Sequence, residues 1–253
     1  MHPAQPIYRI YLSLSQTHPL DPHSGLGGKL LYAGEIDADS RNLLYAANIA
    51  GAASLASSSD PAILRQAMRD GVIDFFVNSL EEALRILKNE IRKRQTVAVG
   101  VATAHQLLAT QMLERGVLPD LLPPDSENAE SGLSRIQVEK FLKQGARQIA
   151  EPAGAWRGRQ GQFVNWIAER DFALWLPRLD GYAQSVLPEE DLLRRRWVRL
   201  APRYLGRLAQ RQHGVVLTEE EFVKFEALVN ESLAETGTET AEGPKVVIKK
   251  SDS

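Results

Sequence analysis

Three carboxylates stand close together in one turn near the start of the chain. The apolar run KLLYAG, residues 29–34, is followed by Glu35, Asp37 and Asp39. Like charges about 5 Å apart in a partly wet cleft oppose each other by about a kcal/mol or more, so this turn argues against a bound phosphate. A site for a cationic or imidazole-bearing ligand is a hypothesis that the same residues leave open.

Histidine side chains could bind a metal ion, but the spacing of the histidines in this sequence gives little support for a metal site. No two histidines stand at i, i+4, and none lies in a cluster of carboxylates, so no metal site is predicted. His105 is a candidate for ligand contact because it begins a predicted helix directly after a predicted strand. That position lies on the carboxyl edge of a parallel sheet, where α/β proteins bind ligands. The five histidines are His2, His18, His23, His105 and His213.

Composition excludes several classes of protein. The 253 residues include no cysteine, which excludes disulfides, thiolate metal sites and cysteine nucleophiles. The 30 basic and 32 acidic side chains leave a net charge of −2, so the overall charge gives no case for nucleic acid or an anionic membrane. No apolar run approaches the roughly 20 residues of a membrane span. We therefore expect a cytoplasmic protein that does not associate with membranes.

Apolar runs alternate with helical segments from residue 29 to residue 124. The predicted strands are residues 29–34, 53–58, 72–78, 96–102 and, more weakly, 120–122. Helix starts are marked by a capping box, Ser79 with Glu82, and by Asp60 followed by a proline. Strands that alternate with helices of this length predict right-handed crossovers and a doubly wound parallel sheet. The fold class is therefore predicted to be α/β.

The rest of the chain is predicted to be loop, helix or disordered. Residues 1–28 are an N-terminal arm of loops, with one edge strand at residues 7–14. Residues 125–235 form a mostly helical C-terminal region that begins with the polar linker DSENAESG. Its helices are predicted at residues 136–150, 162–176, 189–212 and 218–235. Residues 236–253 are polar enough to predict a disordered tail.

The helical region carries two features that are typical of contact surfaces. The first is a set of arginines four residues apart, which form a basic stripe if the helix continues through Pro202: Arg195, Arg199, Arg203, Arg207 and Arg211. The second is a set of tryptophans expected to anchor helices on the sheet domain or on a second subunit: Trp156, Trp166, Trp175 and Trp197. A protein partner or a homo-oligomer is the expected contact through these helices, and a simple solvated stripe is the alternative. Nucleic acid is not expected, because no base-stacking pattern is interleaved with the arginines.

Three stretches between about Gly27 and about Asp120 follow one another in a recognisable order: AANIAGAASL (46–55), SDPAILRQAMRDGVIDFFVNSLEEALRIL (59–87) and VAVGVATAHQLLATQMLERGVLPDLL (97–122). In this order and spacing they resemble the NAD-binding, Rossmann-like domain of urocanase, the urocanate hydratase of histidine degradation. The resemblance implies a Rossmann-like fold for residues 29–124. It places six residues around a cofactor site: Gly34, Glu35, Asp37, Ser58, Gly100 and His105.

The sequence departs from the urocanase pattern where the chemistry of that family is expected. Urocanases have a glycine-rich loop after the first strand, whereas this chain continues from Gly34 into EIDADS. Ser58 stands where an acidic residue would bind the ribose hydroxyls. The family's Asp-Gln-Thr-Ser-x-His segment has no counterpart in LLPPDSENAESG, and its cysteine-bearing segment is missing too.

These departures predict a urocanase-like protein without hydratase activity that serves as a binding or interaction module. The sequence does not identify catalytic residues, and whether the chain is an enzyme stays open. We expect no bound cofactor, with NAD as the cofactor that the resemblance allows. Two alternatives stay open. One is a urocanate hydratase-like lyase of histidine degradation that uses NAD through a remodelled loop. The other is a small-molecule sensor or regulator.

Overall fold

The computed structural model describes residues 3–124, 133–152, 161–236 and 245–251. The chain divides into two compact units. The sheet unit is Pro6–Arg157, and the C-terminal unit is Gly158–Ser253 together with Met1–Gln5. The predicted polar linker and Trp156 lie outside the described residues.

The sheet unit is built on a six-stranded parallel sheet, which confirms the predicted α/β fold. Its strands are β1 (Leu30–Glu35), β2 (Ala53–Ser57), β3 (Phe75–Val77), β4 (Val97–Val101), β5 (Leu121–Leu122) and β6 (Arg147–Gln148). Their order across the sheet is β3-β4-β2-β1-β5-β6. The helices that connect them are α2 (Ala38–Ala50), α3 (Pro61–Arg69), α4 (Leu80–Arg92), α5 (His105–Glu114) and α6 (Arg135–Lys143). β1, β2 and β4 are buried almost throughout because helices cover both faces of the sheet.

Each face of the sheet carries its own set of helices. On one face Tyr32, Leu55 and Val99 pack in a single apolar cluster with Leu87 of α4 and Met112 of α5. α2 and α3 pack beside each other on the opposite face. There Arg41 of α2 pairs with Asp70, which follows α3, and Asn48 Nδ2 donates to the carbonyl of Val72. This is the doubly wound arrangement that the alternation of elements predicted.

The N-terminal arm corrects a prediction. An edge strand was expected at residues 7–14, but Ala4–Thr17 form a helix, α1. The buried side chains of α1 include Ile7, Tyr8, Tyr11, Leu12 and Leu14, and this spacing of three and four residues is helical. IYRIYLSL satisfies alternation as well as helical periodicity, and Pro6 in the first turn is tolerated because its missing N–H is unused there.

The C-terminal unit combines helices with a three-stranded antiparallel sheet of order β8-β7-β9. The strands are β7 (Gln162–Ala168), β8 (Gln212–Leu217) and β9 (Val246–Ser251). The helices are α7 (Phe172–Val186), α8 (Leu192–Leu205) and α9 (Glu219–Thr236), and a 3₁₀ turn covers Gly206–Ala209. The predicted capping box at the start of α9 is present, because Thr218 and Glu221 exchange side-chain to backbone hydrogen bonds. None of the described helices is long and apolar enough to cross a membrane.

Three predictions for this half of the chain were wrong. The helix expected at residues 162–176 is strand β7 followed by α7, since QFVNWIA combines β-branched and aromatic residues and pairs on both sides. The expected disordered tail contains β9, whose VVIKK run completes the sheet beside β7. α6 ends at Lys143 rather than continuing to residue 150, because Gly145 adopts φ 108° and turns the chain into β6.

The arginine stripe is also shorter than predicted. α8 does continue through Pro202, but it ends at Leu205, so Arg207 lies in the 3₁₀ turn and Arg211 lies beyond it. Arg195 donates to two backbone carbonyls within the unit. Arg199 and Arg203 are the exposed arginines of the predicted stripe that remain on α8 itself.

The described tryptophans are buried within the C-terminal unit. Trp166 of β7 donates its indole N–H to Asp180 of α7 at 3.0 Å. Trp197 of α8 donates to the carbonyl of Gly214 in β8 at 2.8 Å. Each indole therefore joins a helix to a strand, as expected for an amphipathic anchor.

Candidate functional site

The turns that follow β1, β2 and β4 meet at the carboxyl edge of the parallel sheet. The backbone N–H of Ile36, after β1, donates to the carbonyl of Ser57 in β2 at 2.8 Å. The N–H of Ser58 donates to the carbonyl of Val101 in β4 at 3.1 Å. Ligands of open α/β sheets bind outside this edge, so it is the place where the predicted site residues can act together.

Glu35 and His105 form an acid–imidazole pair at this edge. Nδ1 of His105 lies 3.2 Å from Oε2 of Glu35, and the two side chains are 11% and 23% exposed. His105 is the first residue of α5, as the sequence predicted. Two of the predicted site residues, 70 positions apart in the chain, are thus in contact, and the Glu35 carboxylate already has an imidazole partner inside the protein.

Gly34 provides the backbone geometry that precedes Glu35. Its φ is 80°, in the left-handed region that glycine adopts without strain. The register between β1 and β2 shifts at this point, between Tyr32 and Gly34. A bulge of this kind alters the direction of a strand next to a site.

Tyr32 belongs to the same site although the sequence analysis did not single it out. Its hydroxyl donates to the backbone carbonyl of His105 at 2.8 Å. Burial raises the pKa of the Tyr32 hydroxyl well above its usual value, a hydrogen bond with Ser57 opposes this rise, and the Glu35 charge adds to it. The tyrosine is therefore neutral and acts as a fixed donor. A polar aromatic residue within the apolar run KLLYAG was the signal that could have revealed it.

Asp37 is bound to the amino terminus of α2. Its Oδ1 accepts the backbone N–H of Ser40 at 2.8 Å, and Oγ of Ser40 accepts the backbone N–H of Asp37 at the same distance. The pair forms a reciprocal capping box, and the carboxylate also suits the positive end of the helix dipole. Asp39 lies two residues further along, in the first turn of α2, and is exposed. The anion at the start of α2 is therefore supplied by the protein itself.

Ser58 and Gly100 have packing roles in the structure. Ser58 is buried, and its Oγ accepts the backbone N–H of Asp60 at 3.3 Å, next to the cap that Asp60 provides for α3. Gly100 lies on β4 under α3, where an added Cβ would stand 2.7 Å from Cδ2 of Leu64. The structure thus brings Gly34, Glu35 and His105 together, whereas Ser58 and Gly100 make structural contacts. The assignment of all these residues to a cofactor site stays a prediction.

A second acid–imidazole pair, which the sequence did not indicate, lies in the C-terminal unit. Nδ1 of His213 is 2.8 Å from both carboxylate oxygens of Asp180, which also accepts the Trp166 indole N–H. The three side chains border a cavity of about 10 Å³, which is about the space of one water molecule. Within the described part of the chain, no group of three or more His, Asp or Glu residues could hold a metal ion.

The match to a known family falls on the sheet unit. Residues 21–127 match the family model described as the urocanase Rossmann-like domain. This range includes β1 to β5 and the whole carboxyl edge described above. The resemblance seen in the sequence is thereby confirmed, together with the Rossmann-like fold that it implied. Residues 21–127 therefore form a urocanase-like Rossmann domain.

Proposed function

We propose that this chain uses its urocanase-like Rossmann domain as a binding or interaction module and has no urocanate hydratase activity. The observation that carries the proposal is the position of Asp37 at the amino terminus of α2. In a dinucleotide-binding Rossmann domain, free amides at this helix start hold the pyrophosphate. Here the side chain of Asp37 takes the Ser40 amide.

The residues at the carboxyl edge do not fit NAD bound in the usual manner. A pyrophosphate at the start of α2 would lie near Asp37 and the exposed Asp39, and each like charge opposes it by about a kcal/mol or more. Ser58 is too buried to hold the ribose hydroxyls, and Glu35 is engaged by His105. The negative charge of the turn and the hydrogen bonds that its residues already make within the chain therefore both oppose the binding of NAD.

The urocanase family itself provides the alternative function. In that alternative the chain is an NAD-dependent lyase of histidine degradation that binds its cofactor through a remodelled β1–α2 turn. The sensor hypothesis has less support, because Glu35 and Asp37 have partners within the chain. Asp39 is the exposed carboxylate that the turn offers to a cation.

We further propose that the C-terminal unit of this chain binds a protein partner that presents carboxylates. Arg199, Arg203, Arg207 and Arg211 are exposed, and among the described residues no carboxylate forms an ion pair with them. Two of these guanidinium groups cover aromatic rings, Arg203 over Tyr204 and Arg211 over Phe172. Since those rings are covered, they do not offer the stacking platforms that single-stranded nucleic acid uses.

Calorimetric titration with NAD tests the cofactor part of the proposal. The native chain should give no binding heat at about 1 mM NAD, a concentration that would reveal even a weak site. The matched variant carries Glu35→Gln, Asp37→Asn and Asp39→Asn, which keep side-chain size and remove the charges. Measurable binding by this variant alone would identify the carboxylates as the block. Binding by the native chain would refute the proposal.

Loss of urocanate absorbance tests the catalytic part separately. Purified protein with urocanate and NAD should leave the absorbance unchanged, while an active urocanase in the same cuvette should remove it. Turnover by the native chain would establish the lyase alternative.

A further inference from the structure

The antiparallel sheet of the C-terminal unit is covered at one edge by side chains of α8. Trp197 donates its indole N–H to the carbonyl of Gly214 in β8 at 2.8 Å, and Arg194 donates to the carbonyl of Val216 at 3.0 Å. Alternate residues of a strand direct their backbone groups to opposite sides, so both carbonyls lie on the side of β8 that faces away from β7. The other edge of the sheet is formed by β9.

The strand at that other edge adds little to the apolar core. β7 is buried almost throughout, and its Trp166 is fully buried. β9 pairs with β7 along its whole length, but residues 246–248 are only partly buried and residues 249–250 are exposed. Segments with few buried apolar contacts open locally at a low free energy. β9 is therefore the strand of this sheet that can leave while β7 and β8 stay folded.

The two ends of β9 are held by exposed ion pairs. Lys250 pairs with Glu219 at the start of α9, and Lys245, just before β9, pairs with Glu169. The Glu219 side chain is 74% exposed and the Lys245 side chain is 64% exposed. Because water screens ion pairs of this kind, they contribute little to stability, and β9 is held mainly by its backbone hydrogen bonds to β7.

The contacts of Lys250 form a site for an ammonium group. Its Nζ lies 3.0 and 2.8 Å from the two carboxylate oxygens of Glu219 and 3.9 Å from the centroid of the Phe222 ring. A carboxylate and an aromatic face both attract a cation, so together they favour lysine at this position of the strand. The neighbouring Lys249 is exposed and has no ion pair among the described residues. The β7 edge thus combines a backbone ladder with a side-chain site that reads one residue.

We propose that the β7 edge binds an extended segment of another protein, in which apolar residues are followed by a lysine, and that β9 occupies this site in the free chain. β9 opens, the incoming strand pairs with β7, and its lysine enters the site of Glu219 and Phe222. Strand addition of this kind gains affinity from main-chain hydrogen bonds and specificity from side-chain sites.

The inference goes beyond the proposed function and can fail separately from it. The arginines of α8 would bind carboxylates of a partner, whereas the β7 edge would bind a partner's lysine. Variants of the arginines leave β9 unchanged, and variants of β9 leave the arginines unchanged.

Hydrogen exchange of the native full-length chain tests whether β9 opens by itself. The backbone N–H of Glu169 donates toward β9 and that of Ala168 toward β8, and this direction alternates along β7. The amides of Asn165 and Ile167 therefore face β9. Their protection factors should equal those of β9 and lie roughly tenfold or more below that of Trp166, which faces β8. A common protection factor for β9 and Trp166 would overturn the proposal.

A fluorescent peptide with the sequence of residues 245–253, KVVIKKSDS, tests binding with two matched variants of the full chain. Lys250→Gln removes the contacts of β9 with Glu219 and Phe222 but leaves both residues available to the lysine of the peptide. Apparent affinity rises with the fraction of open chains, so this variant should bind the peptide more tightly than the native chain. The gain should equal the factor by which the protection of β9 falls. Lys249→Gln is the control and should match the native chain in both measurements.

A second peptide, which carries Lys250→Gln, tests the ammonium site directly. It should bind the Lys250→Gln chain roughly threefold to tenfold more weakly than the first peptide, because it lacks the cation–aromatic contact and the ion pair. Equal affinity of the two peptides, or no binding of the first peptide to this chain, would overturn the proposal. Sedimentation equilibrium should show that the Lys250→Gln chain is a monomer. A dimer would mean that β9 of a second copy takes the site, and it would overturn the assignment to another protein.

Discussion

Replacement of Asp37 tests whether its carboxylate stabilises the amino terminus of α2 in the way that a bound anion would. Asp37→Ala removes the acceptor for the Ser40 N–H and the charge at the helix terminus. Loss of a side-chain cap costs about 1 kcal/mol, and loss of the charge–dipole interaction adds about 0.3–1 kcal/mol. The free energy of unfolding should therefore fall by about 1–2 kcal/mol. Asp37→Asn keeps an acceptor oxygen and should lose only the charge contribution, about 0.3–1 kcal/mol.

Urea denaturation followed by circular dichroism measures both variants, with the slope against urea as a check that the unfolded state is unchanged. Asp39→Asn is the matched control, because Asp39 is exposed in the same turn. Its effect should not exceed the charge contribution, about 0.3–1 kcal/mol, because Asp39 lies in the first turn of α2 but does not cap it. If Asp37→Ala is as stable as the native chain, or if Asp37→Asn costs as much as Asp37→Ala, the capping argument is refuted.

Three further predictions concern packing and protonation. Gly100→Ala should destabilise the chain by about 1–3 kcal/mol in urea, because the new methyl group meets Leu64 at 2.7 Å; an unchanged midpoint would show that α3 moves freely. Gly34→Ala should cost about 1–2 kcal/mol by thermal unfolding, because its φ is 80°, and a cost near zero would contradict the left-handed conformation. Burial alone would raise the pKa of Glu221, but hydrogen bonds from Arg194 outweigh it, so the pKa is lowered from 4.5. The Glu221 carboxylate should therefore stabilise the fold above pH 4.5, and this contribution should be lost as the pH falls through the lowered folded-state pKa. Glu221→Gln should remove that part of the pH dependence of unfolding, and an unchanged profile would refute the assignment.

The central fold was predictable because two independent signals agreed there. Apolar runs of strand length alternate with helices whose caps are visible in the sequence, such as Asp60 with its following proline. The capping box at Ser79 was only partly correct. Ser79 accepts the N–H of Glu82 as predicted, but the Glu82 carboxylate accepts the N–H of Asn78 rather than that of Ser79. Local signals of this kind fix where a helix begins more reliably than they fix each hydrogen bond.

The errors fell where one stretch satisfies two periodicities or depends on distant pairing. IYRIYLSL alternates like a strand and also repeats like a helix, and its burial on nearly all sides allowed the helix to form. β9 is established by its pairing with β7, about 80 positions earlier in the chain, because its short Val-Val-Ile run is a weak strand signal within a polar tail. The same applies to the site. Glu35 and His105 were both named, but their contact, and the role of Tyr32, depend on which strands become neighbours.

Under the proposal that this domain binds no NAD, the acidic turn explains how the Rossmann-like fold keeps the helix start stable. The start of a helix such as α2 leaves backbone N–H groups without helical partners, and an anion there is stabilising. A bound pyrophosphate supplies that anion from solution, so the stability it gives depends on ligand concentration. Asp37 supplies it as part of the chain, with Ser40 returning a hydrogen bond. With the anion supplied by the chain, the proposal gives a reason why a glycine-rich loop that admits a phosphate is not needed here. The residues around it are then free to form internal contacts such as the one between Glu35 and His105.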